Sequence, residues 1–220
     1  MQYPLTICNG YTIIEIDGQK FMLDTGSGLS LAATKTAQNV TIGGRDFAFA
    51  LHPQLAGQLT NATGLPDIAG IIGFNVIYAF GGIDCDIARG VATFGTPQKK
   101  AGSAVPFERP LDFHFHVRVN GQNVLGFLDT GAPRTMVDDH SLLDGTLYEG
   151  MVDEPSASGT IHTEQYGGTM EFGGVTRTVH MLKSVRDMNR DGVSKVYFSI
   201  LPFADKYFTI DLTNQEIRFL

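Results

Sequence analysis

The 220-residue sequence predicts an all-β chain built as two similar lobes. Three observations predict it. Glycine (26) and proline (nine) are frequent and no sustained helical periodicity is present, which favours short strands joined by turns. A hairpin pattern occurs twice, over residues 12–23 and again over 113–128. Each hairpin then runs into the same ending: Phe21-Met22-Leu23-Asp24-Thr25-Gly26 and Gly126-Phe127-Leu128-Asp129-Thr130-Gly131. An unpaired carboxylate at the buried end of an apolar strand is costly, so two such ends make sense if they meet and share a proton. The glycines let each turn approach the other closely.

In the first half, Thr12-Ile13-Ile14-Glu15-Ile16 reads as a strand, Asp17-Gly18 as a tight turn, and Lys20 to Leu23 as the strand that delivers Asp24. In the second half the strand His114 to Val119, the turn Asn120-Gly121 and a second apolar strand deliver Asp129. The halves stay parallel further on. Gly70-Ile71-Ile72-Gly73-Phe74 precedes Asp84-Cys85-Asp86-Ile87 and Val91-Ala92-Thr93-Phe94, while Ile200-Leu201-Pro202-Phe203 precedes Ile210-Asp211-Leu212 and Glu216-Ile217-Arg218-Phe219. The spacing from Asp86 to Phe94 equals that from Asp211 to Phe219. Between the repeats, Gly95 to Pro110 is rich in Gly, Pro, Ala, Ser and Lys. The expected division is a first lobe over 1–98, a linker over 99–110 and a second lobe over 111–220.

Composition narrows the function. A net charge of −7 argues against a nucleic-acid partner, which calls for clustered Lys and Arg, and Lys99-Lys100 falls in the linker. The longest nearly apolar run, Ile68 to Phe80, is too short to span a bilayer and contains Asn75, so no membrane partner is expected. Two cysteines, Cys8 and Cys85, make no disulfide framework and read as reduced, buried thiols. No charged-then-apolar signal segment opens the chain. A cytoplasmic location is favoured, with a previously removed targeting segment left open.

At the two Asp-Thr-Gly turns the sequence resembles the aspartic proteases. Asp129-Thr130-Gly131-Ala132 is similar to the retropepsin form and Asp24-Thr25-Gly26-Ser27 is closer to the pepsin form. The resemblance covers nearly the whole chain, which looks like two retropepsin-like units fused in tandem. It implies a bilobal aspartic-protease-like fold, with two pseudo-twofold-related, β-barrel-like lobes and an active site in the cleft between them. It also implies an endopeptidase in which Asp24 and Asp129 activate one water, with no metal, no cofactor and no covalent intermediate. Thr25 and Thr130 are expected to reach across to the opposite turn, and Gly26 and Gly131 to supply backbone amides. The substrate is a peptide or protein lying extended across the cleft. With both aspartates on one chain, activity as a monomer is expected.

In the same family a hydrophobic-hydrophobic-Gly strand passes beside each catalytic loop. Ile71-Ile72-Gly73 fits that slot, whereas the second copy puts Pro202 where the glycine belongs. A hairpin flap also covers the substrate, and here the room for it lies in the second half, within Met151 to Phe172. Ser158, Gly159, Thr160 and Tyr166 are its candidate substrate contacts. Ser27 and Ala132 are the chemical difference between the turns. A Ser27 hydroxyl on the outer oxygen of Asp24 predicts that Asp24 carries the charge and Asp129 the proton. The rival reading is a silent module that binds extended peptides without cutting them, for which Pro202 and the flapless first half speak.

Other patterns compete less well. Asp187-Met188-Asn189-Arg190-Asp191-Gly192 opens like a calcium loop, yet Phe198 stands at its twelfth position and no flanking helices are expected. His114 and His116 alternate with apolar residues and are expected on a solvated strand face without a third ligand. Gly28-Leu29-Ser30-Leu31-Ala32 lacks the strand–turn–helix setting of a serine nucleophile.

Overall fold

The computed structural model describes residues 1–98, 101–109, 113–156, 159–185 and 193–220, without the side chain of Ser156. The chain is mostly β, with 53% of residues in strands and 11% in helices. The first half contains β1 (Gln2–Cys8), β2 (Tyr11–Ile16), β3 (Gln19–Leu23) and β4 (Leu31–Ala32). It continues through β5 (Asn39–Ile42), β6 (Arg45–Ala48), β7 (Ala50–Leu51), helix α1 (Leu55–Thr63), β8 (Ile68–Ile72), helix α2 (Phe74–Phe80), β9 (Gly82–Asp86) and β10 (Val91–Phe94). The second half begins with β11 (Ser103–Pro106), β12 (His114–Val119), β13 (Gln122–Leu128) and β14 (Thr135–Val137). It ends with β15 (Leu147–Ser156), β16 (Gly159–Phe172), β17 (Val175–Lys183), β18 (Val196–Phe198), β19 (Tyr207–Asp211) and β20 (Glu216–Phe219).

Both delivering hairpins form as expected. Ile16 pairs with Gln19 and Val119 with Gln122, leaving two-residue loops. Asp17 and Gly18 have φ of 49° and 75°, and Asn120 and Gly121 have 48° and 85°. Positive φ at both central residues matches the strand twist, and Asp-Gly and Asn-Gly tolerate it. The alternation of β3 sorts its side chains: Phe21 and Leu23 enter the main core, while Met22 faces a second cluster with Tyr11, Ile13, Leu55, Leu59 and Ile71. That second cluster exists because α1 presents Leu55, Leu59 and Ala62 on one face. The helix stops at Gly64, whose φ of 71° suits glycine.

The halves do not keep their strands to themselves. Six antiparallel strands run β11-β20-β19-β9-β10-β1, and the central pair β9–β19 joins the halves, with Asp84 opposite Thr209. The matched spacing in the sequence is the matched register of two hairpins: Asp86 pairs with Val91 and Asp211 with Glu216. The outer strands also correspond, since β1 flanks β10 as β11 flanks β20. The segment expected as a linker therefore holds a strand at Ser103–Pro106. The last hairpin of the second half, in turn, belongs to the sheet it shares with the first.

Beyond this shared sheet, the first lobe continues through β2, β3, β8, β4 and β7. The second lobe has the order β12-β13-β18-β14-β17-β16-β15, and β12 also pairs with β16 so that the sheet curls back on itself. Aromatic rings tie that lobe to the shared sheet: Phe172 stacks on Phe219 at 5.2 Å and meets Phe198 edge-on at 5.1 Å. β15 is left at the edge, as one strand of a long hairpin with β16.

Candidate active site

The two aspartates arrive by the same device. β3 runs parallel to β8 and β13 runs parallel to β18, so each strand is held on both sides and its end is fixed. The Asp24 amide donates to Ile72 O at 3.0 Å and the Asp129 amide to Phe198 O at 2.9 Å. This register corrects the sequence reading. Leu23 faces Ile72 and Leu128 faces Phe198, so the residue matching Gly73 is Ser199, and Pro202 lies beyond the slot. The first lobe needs glycine there, because a Cβ on Gly73 would sit 2.6 Å from Leu29 O. The second accepts a buried serine.

Two threonines lock the turns together as the resemblance implies. Thr25 N donates to Thr130 Oγ1 and Thr130 N to Thr25 Oγ1, both at 3.0 Å. Each hydroxyl in turn donates a hydrogen bond to the opposite strand, Thr25 to Leu128 O at 2.9 Å and Thr130 to Leu23 O at 3.0 Å. All four polar groups of this exchange are satisfied in a site where both threonines are buried. Gly26 and Gly131 are required by close approach alone, since neither has positive φ. A Cβ on Gly26 would lie 2.7 Å from Asp129 Oδ2, and one on Gly131 would strike the Asp24 carboxyl.

The Asp24 and Asp129 carboxyls come together, each set against the glycine of the opposite turn, so that one proton can be shared between them. Burial, then the charge of Asp129, then proton sharing with it hold the Asp24 proton affinity well above the usual carboxylate range. Amides oppose the shift: Ser27 N donates to Asp24 Oδ1 at 3.0 Å, and Gly26 N also acts on it. Gly131 N donates to Asp129 Oδ1 at 2.8 Å. The Ser27 hydroxyl is elsewhere. It donates to Leu29 O at 2.6 Å, so the expected hydroxyl bond to Asp24 is absent and the reason for placing the charge on Asp24 goes with it. Ala132 is buried beside the pocket.

The pair lies in a pocket of about 410 Å³. Its floor is Asp24, Gly26, Asp129 and Gly131, and its walls include Leu31 and Ile71 on one side and Met136 and Leu182 on the other. The β15–β16 hairpin of the second lobe supplies Glu154, Pro155 and Ile161 to the lining. Glu154 and Ile161 are cross-strand partners and so share one face of the hairpin. Of the four flap residues named from the sequence, Ser158 lies outside the described residues. Gly159 and Thr160 are at the hairpin end and do not line the pocket. Tyr166 is turned away, donating to Glu164 Oε2 at 2.6 Å and packing on Tyr148.

Three lining residues with titratable side chains went unnoticed in the sequence: Tyr11, Arg134 and Glu154. Glu154 is 5% exposed and its Oε2 lies 3.3 Å from Arg134 Nη1. Burial raises the Glu154 proton affinity and Arg134 opposes the rise. Burial chiefly, with Glu154, Asp129 and Asp24 adding to it, pushes the Tyr11 hydroxyl far above its ordinary value. Strict alternation along the strand sets Glu154 beside Val152 and Gly150 on one face and made it detectable there, but nothing local pairs it with Arg134.

The competing patterns resolve as follows. His114 is buried, 2.7 Å from Ser194 Oγ and edge-on to Phe127, contrary to the expected solvated face; His116 is exposed beside Glu108. Among the described residues no group of three or more His, Cys, Asp or Glu could hold a metal ion, and 186–192 lie outside them. Ser30 Oγ donates to Asn75 Oδ1 and accepts from Gly73 N, a structural role under the Asp24 loop. Cys8 and Cys85 carry no disulfide, and Cys8 is half-buried rather than buried. Among the described residues no helix is long and apolar enough to cross a membrane.

No protein-family model matches the chain, and no curated protein sequence matches it significantly. Solved structures do. An aspartic proteinase from Irpex lacteus covers 99% of this chain and 96% of its own, with a TM-score of 0.52 and 10% identity. A foamy viral protease–reverse transcriptase bound to an RNA/DNA hybrid is 19% identical over 46% of this chain, with a TM-score of 0.32; the match spans 11% of that chain. The first of these covers both lobes, and at its level of identity the likeness is one of fold. The chain has the bilobal aspartic proteinase fold over its full length.

Proposed function

We propose that the protein is an aspartic endopeptidase. The observation that carries this reading is a pair of aspartates brought together, cross-braced by two threonines, in a hairpin-covered pocket. A water held between Asp24 and Asp129 gives a proton to the ionised carboxylate as its oxygen bonds to the scissile carbonyl carbon. The other carboxyl donates its proton to the carbonyl oxygen. When the tetrahedral adduct breaks, the C–N bond cleaves and the leaving nitrogen takes the water-derived proton from one carboxyl. An adduct hydroxyl returns its proton to the other as the new C=O forms, restoring the singly protonated pair. The raised proton affinity of Asp24 supports a pair that keeps one proton. An extended peptide would lie along the hairpin, pairing through its main chain, and one chain would suffice.

The test is digestion of a diverse peptide library across pH, with and without pepstatin. Pepstatin-sensitive cleavage is expected; none at any pH overturns the proposal. The rival, a module that binds peptides without cutting them, loses one of its supports because Pro202 is not in the glycine slot. Binding of library peptides without cleavage would favour it.

A further inference from the structure

Among the described residues no second hairpin reaches over the pocket to meet this one. The first lobe's own small hairpin, β5–β6, has strands of four residues that pair only with each other. β15 is moreover an edge strand, whose outward carbonyls find no partner in the ladder. One of them is nevertheless taken. Tyr11 Oη, on β2 of the first lobe, donates to Pro155 O at 2.9 Å across the cleft. The Tyr11 ring is 2% exposed and packed with Leu55, Leu59 and Ile71, so its hydroxyl is placed by the core of the first lobe. From the second lobe, Arg134 holds both strands of the hairpin. Its Nη1 lies 3.3 Å from Glu154 Oε2 on β15 and donates to Gln165 Oε1 on β16 at 2.7 Å. Arg134 sits on the chain leaving the Asp129 turn, just before β14.

We propose that Tyr11 and Arg134 are positioning residues that hold this hairpin over the aspartate pair. Arg134 sets the angle of the hairpin relative to the turn that carries Asp129. Tyr11 is the hydrogen-bonded fastening between lobes, at a place where α1 of the first lobe also lies against β15. The Arg134 contacts stay within one lobe, but the hairpin cannot lift from the cleft without breaking the Tyr11–Pro155 bond. Entry of a peptide therefore requires that bond to open, and a covered peptide gains from its closing. The effect on peptide capture rests on the endopeptidase reading; the fastening itself does not.

Tyr11→Phe removes the hydroxyl and leaves the packed ring, so the fold should persist, with the melting temperature lowered by no more than about 2–4 °C. Amide exchange at 152–154, 156 and 159–163 in the ligand-free protein is expected to quicken by about three- to tenfold, the loss of one ordinary hydrogen bond. Exchange in β9 and β19 should not change. For a cleaved library peptide, KM should rise severalfold with kcat nearly constant, which a general loss of stability would not produce. Arg134→Lys keeps the charge without the fork and should give a smaller increase in exchange at the same residues. Unchanged exchange at 152–154, 156 and 159–163 in Tyr11→Phe overturns the fastening. Altered exchange with unchanged KM overturns its role in capture. If the wild-type protein cleaves nothing, the endopeptidase reading fails and the exchange comparison still judges the fastening.

Discussion

The two lobes are alike where they touch each other and unlike where they face the cleft. At the threonine exchange the distances match across the pseudo-twofold, with both cross-turn amide bonds at 3.0 Å. In the shared sheet the β9–β10 and β19–β20 hairpins have one register. The second lobe sends a long hairpin over the pocket, while the first lobe's β5–β6 hairpin is short and lines none of it. The contrast follows from what each surface must satisfy. A site made of two halves needs both to present the same groups at the same distance, so symmetry is kept there. The cover needs only to close, and a single hairpin with something to fasten to can do that.

The comparison breaks most violently at the aspartates. Asp24→Asn and Asp129→Asn should each lower kcat/KM for a cleaved peptide by about a thousandfold or more, because a pair that acts as a unit fails as a unit. A large loss in one variant with substantial activity in the other would show that the halves are not equivalent in the chemistry. Stability should move the opposite way. Between the ordinary value of 3.8 and the raised folded value, folded Asp24 holds a proton that the unfolded chain lacks. Wild-type stability therefore falls as pH rises through that window. Asp24→Asn has no such proton and should be the more stable protein at neutral pH, as denaturant unfolding at two pH values would show.

Next in size are the threonines. Thr25→Val and Thr130→Val keep shape while each removes an acceptor from one buried amide and a donor from one buried carbonyl. Each should cost about 2–4 kcal/mol in denaturant unfolding, as expected for leaving buried polar groups unpaired. The two costs should agree within about 0.5 kcal/mol if the exchange is as symmetric as its distances. Unequal costs would place the difference between lobes deeper than the cover.

The strands beside the aspartates should separate the lobes by a smaller amount. Gly73→Ser brings a Cβ against Leu29 backbone and should cost about 2–3 kcal/mol. Ser199→Gly opens no such clash. It removes a hydroxyl that accepts from Leu201 N at 3.3 Å, and about 1 kcal/mol is expected. Equal penalties in thermal or denaturant unfolding would mean that the two slots are built alike after all.

Much of this was legible in the sequence because it is local. Strand–turn–strand patterns with Asp17-Gly18 and Asn120-Gly121, and apolar runs ending in Asp24 and Asp129, carry their own signals. What was misread depends on partners distant in the chain. Ile200-Leu201-Pro202 looks more like an apolar strand end than Val196-Tyr197-Phe198-Ser199, and only the ladder to β13 decides between them. The β9–β19 pairing and the meeting of Tyr11 with Pro155 have no local trace. Helix α1 was passed over because Gly57, Thr60 and Asn61 dilute a short apolar face of Leu55, Leu59 and Ala62.

The smallest effect is expected at Ser27, where the sequence alone suggested a marked one. A hydroxyl on Asp24 would favour its charged form, and Ser27→Ala would then move the acid limb of the pH–rate profile upward. In the structure the hydroxyl donates to Leu29 O, and the group that meets Asp24 Oδ1 is the Ser27 amide, which alanine retains. Ser27→Ala should therefore leave the acid limb where it is. Its cost should be confined to the loop that ends at Leu29, about 0.5–1.5 kcal/mol for one partly exposed hydrogen bond. Ala132→Ser at the matching place tests the same point from the other lobe. Ala132 is buried, so a serine there has less freedom to turn to its own loop, and a shift of the acid limb in that variant alone would show that the turns differ in how they tune the pair. An acid limb that moves in Ser27→Ala would mean that the hydroxyl leaves Leu29 for Asp24 in the working protein.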